Sequence, residues 1–339
     1  MGAGPFSQRT VFRSTHVLQR HCQESCPVLR GIKKSVIRSA NAIASGLEGR
    51  LVDGSDTPLA HPPIFVLGAP RSGSTLFYEC LTRRFDLAYF SNIHHTFFAC
   101  PSIIERLFHV CRWERKVDYK SNCGYIKGGS SPSEAWNFWY RFFRRTPQFV
   151  SLEDVDPKKM RCMRGAIRAF ESACGQSVVI KNLPCTLRLE PLAKYLPEAL
   201  FLVLRRNTFA NARSILVARK EYHHDYKRWW SVEVPGFEQL ASAGPEEQVV
   251  QQIREIDRLI DTGRELIGKD RFFDVAYEDL CAESPKTLEA VEQFLGSHGV
   301  DLTHRGSLPE SFPMPEPGEI DGGLLKSLQA YLGLGADGG

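Results

Sequence analysis

In one segment of the chain, an apolar strand pattern leads into a glycine-bracketed loop and then into a helix pattern. Ile64 to Leu67 form the strand pattern, Gly68 and Gly73 bracket the loop, and helical spacing begins at Ser74. The backbone N–H groups of such a loop and of a first helical turn have no intrahelical partners, and with the helix dipole they bind anionic oxygens. The segment therefore predicts a phosphate-binding loop between a buried strand and a helix.

The loop departs from the nucleoside triphosphatase pattern in a specific way. Gly68 and Gly73 have the spacing G-x-x-x-x-G, but Ser74 and Thr75 follow where a triphosphatase has Lys and then Ser or Thr. The cation lies inside the loop instead, at Arg71. We therefore predict that the loop binds a different phosphate ester.

A second anion site is predicted at the end of another apolar strand. The apolar run 199–204 ends in Arg205 and Arg206, and a helix pattern begins at Asn207. Arg206 and Ser214 can converge on one phosphate, because one ends a strand and the other lies on the helix that follows it. Two phosphate sites on neighbouring strands suit a nucleotide that is phosphorylated at both its 5′ and 3′ positions.

Four segments, in order along the chain, resemble the sulfotransferase superfamily that uses 3′-phosphoadenosine 5′-phosphosulfate (PAPS), particularly its bacterial-type branch related to the tyrosylprotein sulfotransferases. They are Pro70–Leu76, Ile180–Pro184, Leu204–Asn207 with Ser214, and Val275–Leu280. The resemblance implies an α/β, three-layer P-loop-like fold with a mostly parallel central sheet flanked by helices. It implies PAPS as sulfuryl donor, without a metal, because the transferred group carries less charge than a triphosphate.

The same resemblance implies which residues bind the donor and which neutralise the leaving phosphate oxygen. We assign Arg71 and Lys181 to that oxygen, since preorganised charge in a dry site is usually the largest catalytic contribution; the alternative for Lys181 is a solvated lysine at a strand end. The donor-binding residues implied by the matched segments are Arg71, Ser72, Gly73, Ser74, Thr75, Leu76, Arg206, Ser214 and Tyr277.

The general base is less clearly indicated. Related tyrosylprotein enzymes place a glutamate after the second strand, where this chain has Asn92, and the small-molecule branch has a histidine where this chain has Leu183. Glu134 is our first candidate because it opens an aromatic segment that resembles the acceptor-site helix of bacterial members. His94 is the second candidate, with His95 beside it. Glu134 also fits an ordinary helix start, and adjacent histidines are commonly structural.

The acceptor is not identified by the sequence. Trp229 and Trp230 follow the second phosphate-site helix, where they could stack on a sugar or an aromatic acceptor or simply be buried indoles. A small molecule, a lipid, a carbohydrate and a peptide tyrosine all remain open. A net charge of +4 over 339 residues does not favour nucleic-acid binding.

Two other functions share part of these features. A P-loop kinase would have Lys at position 74 and a strand-end carboxylate for magnesium, so the sequence argues against it. A catalytically degenerate cofactor-binding protein would retain the loop and lose the base, which the residues at 92 and 183 leave open.

The chain divides by composition into three parts. Residues 61–303 are predicted to form the catalytic domain, with strands near 64–67, 87–90, 177–180, 200–204 and 272–276. Helices are predicted at 74–84, 100–114, 134–144, 157–173, 187–195, 208–220, 245–267 and 285–295. Residues 304–339 form a tail rich in Pro and Gly that resists assignment.

Residues 1–60 are predicted to be a helical extension and a linker. Residues 1–40 hold seven Lys or Arg and one acid, and apolar residues recur at helical spacing from Ile32 to Leu47. This basic amphipathic helix could attach to a membrane surface, act as a targeting segment, cover the site, or pack on the domain with its charges solvated.

The cysteines and the hydropathy pattern favour the cytoplasm. Ten cysteines are scattered without zinc-ligand spacing; Cys22 and Cys26, near two histidines, lack a second ligand pair. We expect most of them to be reduced and buried. No apolar stretch is long enough for a transmembrane helix.

Overall fold

A computed structural model describes residues 27–52, 57–115, 117–121, 124–316 and 318–335. Cys22, Cys26 and the first three arginines of the basic extension lie outside the described residues. Twelve α-helices are described. They are α1 (Pro27–Leu51), α2 (Ser74–Arg84), α3 (Asn92–Thr96), α4 (Pro101–Phe108), α5 (Trp136–Trp139), α6 (Pro157–Cys174), α7 (Leu189–Tyr195), α8 (Thr208–His223), α9 (Pro245–Ile267), α10 (Tyr277–Ala282), α11 (Ser284–Ser297) and α12 (Gly322–Tyr331).

The described strands form one parallel sheet. In chain order the strands are β1 (Ile64–Gly68), β2 (Ala88–Tyr89), β3 (Val178–Lys181), β4 (Leu200–Arg205) and β5 (Phe272–Ala276), and their order across the sheet is β2-β3-β1-β4-β5. Every neighbouring pair is parallel. The five predicted strands are confirmed to within two residues at each end. Because parallel strands end at the same edge, Gly68, Lys181 and Arg205 lie at one edge of the sheet.

Apolar side chains cover both faces of the sheet. Phe65 and Leu67 of β1 pack in one cluster with residues of α6, α7, α8 and α9. Ile64 and Val66 point to the other face, where they pack with residues of α2, α10 and α11. The alternation gives three layers, so the predicted α/β fold with a mostly parallel central sheet is confirmed.

Three predicted segments differ from the structure. The helix predicted at 100–114 ends at Phe108, because His109 has a φ of +49°. The helix predicted at 134–144 is reduced to α5, which Ala135 precedes with a φ of +48°. A left-handed residue interrupts helical hydrogen bonding, and neither residue type signals it. The tail contains α12, whose first N–H groups are capped by Asp321.

Among the described helices, none has the length and apolar character that would let it cross a membrane.

One buried carboxyl on α2 makes the stability of the fold pH-dependent. Glu79 is 1% exposed and lies 3.7 Å from Arg115, and burial raises its pKa from 4.5 to about 7. The folded protein therefore binds this proton more tightly than the unfolded chain, so stability is lost as the pH rises from about 4.5 through about 7.

We expect the Glu79→Gln variant to become more stable than the wild type as the pH rises from 5 to 8, by up to about 3 kcal/mol. Urea unfolding at both pH values measures this difference. Glu265→Gln, at an exposed glutamate on α9, is the control and should leave the difference near zero. A Glu79→Gln effect that is the same at both pH values would contradict the prediction.

Candidate active site

The loop after β1 is closed by a direct contact with α10. Gly73 has a φ of +93°, and a Cβ atom there would lie 2.1 Å from Cδ2 of Tyr277. Only glycine fits this position, because both the backbone conformation and the ring exclude a side chain. The predicted donor-binding Tyr277 is thus placed against the predicted phosphate loop, at the point where α2 begins with Ser74.

Arg71 is brought to the predicted second phosphate site. Its backbone has a φ of +62°, and its Nε donates to Oγ of Ser214 at 3.1 Å. Arg206 donates from Nη1 to the carbonyl oxygen of Arg71 at 3.0 Å, and its guanidinium lies 4.7 Å from the centre of the Tyr277 ring. Two arginines and a hydroxyl therefore converge where the sequence predicted Arg206 and Ser214 alone.

The neighbouring arginine points elsewhere. Arg205 forms ion pairs with Asp257 at 3.0 Å, Asp261 at 2.5 Å and Asp274 at 3.1 Å. Strand geometry sends successive side chains to opposite faces, so only Arg206 reaches the loop. The pair supplies a matched control for experiments on Arg206.

Asparagines that the sequence analysis did not select support both loops. Asn211 of α8 donates from Nδ2 to the carbonyl oxygen of Pro70 at 2.7 Å and is 1% exposed. Asn182, directly after β3, donates from Nδ2 to the carbonyl oxygen of Glu134 at 3.0 Å. Buried amides of this kind fix a loop, because breaking the bond would leave a buried polar group unpaired.

Lys181, at the end of β3, joins the phosphate loop to Glu134. Its Nζ donates to Oε1 of Glu134 at 2.5 Å and to Oγ1 of Thr75 at 3.1 Å. The side chains of Lys181 and Glu134 are only 2% and 10% exposed. Lys181 is therefore a buried, paired cation, and not the solvated strand-end lysine that was the alternative.

Glu134 precedes α5 and does not belong to its first turn. The N-cap residue of α5 is Ala135, and the backbone N–H of Ser133 donates to the carbonyl oxygen of Phe90 at 2.8 Å. These contacts turn the Glu134 carboxylate toward Lys181. Its Oε2 atom is buried without a hydrogen-bond partner among the described residues.

The two histidines have other surroundings. The His94 side chain is fully buried: its Nδ1 accepts from the backbone N–H of Ser91 at 3.1 Å, and its Nε2 lies 3.4 Å from a carboxylate oxygen of Glu105. His95 lies 3.5 Å from the amide of Asn137, and burial lowers its pKa. The structure thus brings Glu134, and not His94, to Lys181.

A glycine that the sequence analysis missed covers the Lys181 group. Gly124 has a φ of +94°, and a Cβ atom there would lie 2.9 Å from Oε1 of Glu134 and 3.5 Å from Nζ of Lys181. Asn92, at the position where the resemblance to the tyrosylprotein enzymes leads one to expect a glutamate, donates from Nδ2 to the carbonyl oxygens of Ile126 at 2.8 Å and Gly128 at 2.7 Å. Asn92 therefore holds the segment that covers the site.

We expect Gly124→Ala to lower turnover at least tenfold, because the added methyl group would displace the Glu134 carboxylate or the covering backbone. Gly175→Ala is the matched control: Gly175 also has a positive φ, +71°, but nothing lies within 4 Å of its Cβ position. Both variants should lose about 1 kcal/mol of unfolding free energy from backbone strain. Equal turnover in the two variants would show that the backbone at Gly124 does not affect the Lys181 and Glu134 side chains during the reaction.

Trp229 and Trp230 have structural contacts. Trp229 donates from Nε1 to the carbonyl oxygen of Val232 at 3.1 Å, and Trp230 is 8% exposed with its ring 6.2 Å from that of Tyr222. In this conformation their rings pack within the protein.

The C-terminal tail contacts α8: Arg213 donates from Nε to the carbonyl oxygen of Gly318 at 3.1 Å.

The polar groups at this edge of the sheet fit an anionic phosphate ester. Oγ of Ser72 and Nε of Arg206 are buried without a hydrogen-bond partner among the described residues. Burial also lowers the pKa of the Arg206 guanidinium from its usual value. Buried donors in this state gain most from an anion, because its charge replaces the water that they have lost.

Comparisons with known proteins show that the chain is similar to sulfotransferases. Residues 62–298 match a family described as the sulfotransferase family. The chain is 24% identical over 276 residues to omega-hydroxy-beta-dihydromenaquinone-9 sulfotransferase Stf3 of Mycobacterium bovis and of Mycobacterium tuberculosis, covering 74% of this chain and 68% of theirs. Sulfotransferase STF1 from Mycobacterium tuberculosis H37Rv has a similar fold, with a TM-score of 0.51 at 17% identity over 78% of this chain and 74% of that one.

Proposed function

The chain belongs to the sulfotransferase family, and on that premise we propose that it moves a sulfuryl group from PAPS to a hydroxyl or amine of a small-molecule acceptor. One observation carries the proposal. Two separate groups of cationic and hydroxyl side chains lie at the same edge of the sheet, one around Arg206 and one around Lys181. A donor with a 3′-phosphate and a 5′-phosphosulfate requires such a pair. The predicted unit 61–303 is the catalytic domain in this proposal.

The residues divide between the two ends of the donor. Arg206, Ser214 and Arg71 would hold the 3′-phosphate, since the first two were predicted there and Arg71 contacts both. The loop from Ser72 to Leu76 would hold the 5′-phosphosulfate through its N–H groups and hydroxyls. This places Arg71 at the 3′-phosphate and leaves Lys181 as the cation for the leaving phosphate oxygen.

The chemistry is an in-line displacement. The donor, when bound, supplies the sulfuryl group, whose bond to the 5′-phosphate oxygen breaks as the acceptor oxygen or nitrogen bonds to sulfur. Lys181 stabilises the negative charge that develops on the phosphate side, where Thr75 already holds its ammonium group. Glu134, on the other side of Lys181, takes the proton of the acceptor.

Lys181 also controls when Glu134 can act. The Lys181 ammonium group occupies Oε1 of Glu134 at 2.5 Å, so this oxygen can accept a proton from the acceptor only when that contact is broken. When the ammonium group is drawn to the loop side, Oε1 of Glu134 is released toward the acceptor. The pairing therefore links proton removal to an occupied phosphate loop.

A hydroxylated lipid is our first choice of acceptor class. The support is the name of the two curated relatives, whose acceptor is an omega-hydroxylated menaquinone. The carbohydrate and peptide acceptors named above have no comparable support. Release of adenosine 3′,5′-bisphosphate from PAPS with a panel containing a long-chain alcohol, a phenol and a sugar tests this ranking.

We expect Arg206→Ala to weaken binding of adenosine 3′,5′-bisphosphate by about 10- to 100-fold while binding of 5′-AMP stays within about twofold, because a charged hydrogen bond to the 3′-phosphate is lost. Isothermal titration calorimetry measures both. Arg205→Ala is the matched control and should bind both ligands like the wild type.

The same titrations test the proposed function as a whole. Magnesium-independent binding that requires the 3′-phosphate supports the PAPS class. Tight, magnesium-dependent ATP binding would instead indicate a kinase, and equal loss of both ligands in Arg206→Ala would show that the substitution disrupts the loop. Donor binding without turnover on any acceptor would favour a degenerate cofactor-binding protein.

A further inference from the structure

Helix α1 is docked to the domain through polar side chains. Asn41 donates from Nδ2 to the carbonyl oxygen of Thr96 and accepts from the backbone N–H of Ala99, both at 3.0 Å. Glu48 accepts from the backbone N–H groups of Ser102 at 3.1 Å and Ile103 at 3.3 Å, in the first turn of α4. Asn41 and Glu48 are 5% and 0% exposed. This helix therefore directs polar residues toward the domain.

Four of the larger apolar residues of α1 face outward. Val36, Ile43, Leu47 and Leu51 are 62%, 72%, 51% and 41% exposed, and their spacing places them along one stripe of the helix. The stripe is about 22 Å long at 1.5 Å per residue. A helix that packs on a domain in water normally turns its large apolar residues toward that domain. The exposed apolar stripe therefore indicates a contact surface for a lipid layer or for another molecule.

A second exposed apolar group lies at the other end of α4. Leu107, Phe108 and Trp113 are 66%, 54% and 44% exposed, and Nε1 of Trp113 donates to the carbonyl oxygen of Phe108 at 2.8 Å. Exposed arginines, Arg106 and Arg112, stand beside them. Aromatic rings with a polar edge next to basic residues are typical of the interface between water and lipid.

The charge of α1 selects one kind of occupant. The helix has five basic residues and one acid, and that acid, Glu48, is fully buried. A second copy of the chain docked on this stripe would bring two basic helices together, at a cost in like-charge repulsion. An anionic lipid surface instead offers both an apolar layer and a complementary charge.

We propose that α1 and the exposed side chains of Leu107, Phe108 and Trp113 dock the protein on the surface of an anionic bilayer. The apolar stripe of α1 from Val36 to Leu51 would then contact lipid. The proposal goes beyond sulfuryl transfer and does not depend on it. The segment that α1 contacts, Thr96–Ile103, begins at the last residue of α3, and the first residue of α3, Asn92, holds the segment that covers Lys181. Helix α3 thus connects the segment that α1 contacts to the segment that covers Lys181.

The test is cosedimentation of the full chain with vesicles of phosphatidylcholine, with and without one-third phosphatidylglycerol. We expect the wild type to bind the anionic vesicles and to be released by high salt. The double variant Ile43→Ser and Leu47→Ser should bind at least about tenfold more weakly, because two exposed side chains no longer enter lipid. Arg38→Glu should weaken binding to the anionic vesicles in particular.

Leu266→Ser is the matched control, since Leu266 is 66% exposed on α9 and should bind vesicles like the wild type. Far-ultraviolet circular dichroism checks that each variant is folded, so the test does not depend on nucleotide binding, and a wild type that fails to bind adenosine 3′,5′-bisphosphate would bear on the proposed function alone. The membrane proposal is overturned if the wild type stays in the supernatant or if the double variant still binds. A wild-type dimer that the double variant converts to a monomer would also overturn it, in favour of a second copy.

Discussion

Replacement of Lys181 by methionine is expected to lower kcat by about 10²- to 10³-fold, the range found when one preorganised stabiliser of transition-state charge is removed. Methionine is close to lysine in length and is suited to the buried position, which is 3% exposed, so the main loss is the charge. Release of adenosine 3′,5′-bisphosphate from PAPS, with the fastest acceptor of the panel, measures kcat. Lys194→Met, at an exposed lysine on α7, is the control and should keep full activity.

The Lys181 variant needs a partner variant, because it also leaves the Glu134 carboxylate buried without its cation. Breaking a buried ion pair from one side typically costs about 3–5 kcal/mol of stability. The double variant Lys181→Met with Glu134→Gln removes both charges and should recover much of that stability without recovering kcat. Recovered kcat in the double variant would show that neither charge takes part in the reaction, and that the single Lys181 variant loses activity only through the unpaired Glu134 carboxylate.

The strands and the glycine-bracketed loop after β1 could be predicted from sequence because their signals are local. The buried strands β1 and β4 are continuous apolar runs, and a loop with glycines at 68 and 73 follows the first of them directly. Strand order then places the ends of β3, β1 and β4 side by side. The contact between Lys181 and Thr75 depends on that adjacency, which the structure supplies and the list of predicted strands did not contain.

The direction of Arg71 could not be predicted in the same way. The resemblance assigned Arg71 to the leaving phosphate oxygen, whereas a left-handed backbone at this residue carries its guanidinium to Ser214. Nothing in the residue type of an arginine indicates a φ of +62°. The contact also joins residues far apart in the chain, which no local pattern encodes.

The cover over the site and the docking of α1 depend on long-range hydrogen bonds. Asparagine cannot take a proton, and the amide of Asn92 instead donates to the carbonyl oxygens of Ile126 and Gly128. In α1 the apolar spacing predicted an amphipathic helix, but the side facing the domain is set by Asn41 and Glu48. These two side chains satisfy backbone groups at the start of α4 and just before it, which an apolar residue cannot do.

Replacement of Glu134 by glutamine is expected to lower kcat by about 10²- to 10⁴-fold, the usual contribution of a positioned general base. Glutamine keeps the shape of the side chain and can still bond to Lys181, but it cannot take a proton from the acceptor. Calorimetry should therefore show nearly unchanged binding of adenosine 3′,5′-bisphosphate while turnover is lost.

If a histidine is the general base, the glutamine variant of that histidine loses kcat and Glu134→Gln keeps it. The kcat values of three glutamine variants, at Glu134, His94 and His95, therefore decide which residue is the base. His94 is enclosed by Ser91, Glu105 and the rings of Phe90 and Phe170, and His94→Gln should lower stability while folded protein keeps most of its kcat. His95→Gln tests the neighbouring imidazole in the same assay. A Glu134→Gln variant with wild-type kcat, beside a His94→Gln or His95→Gln variant that has lost it, would move the base to that histidine. The buried pair of Lys181 and Glu134 would then be a structural contact only.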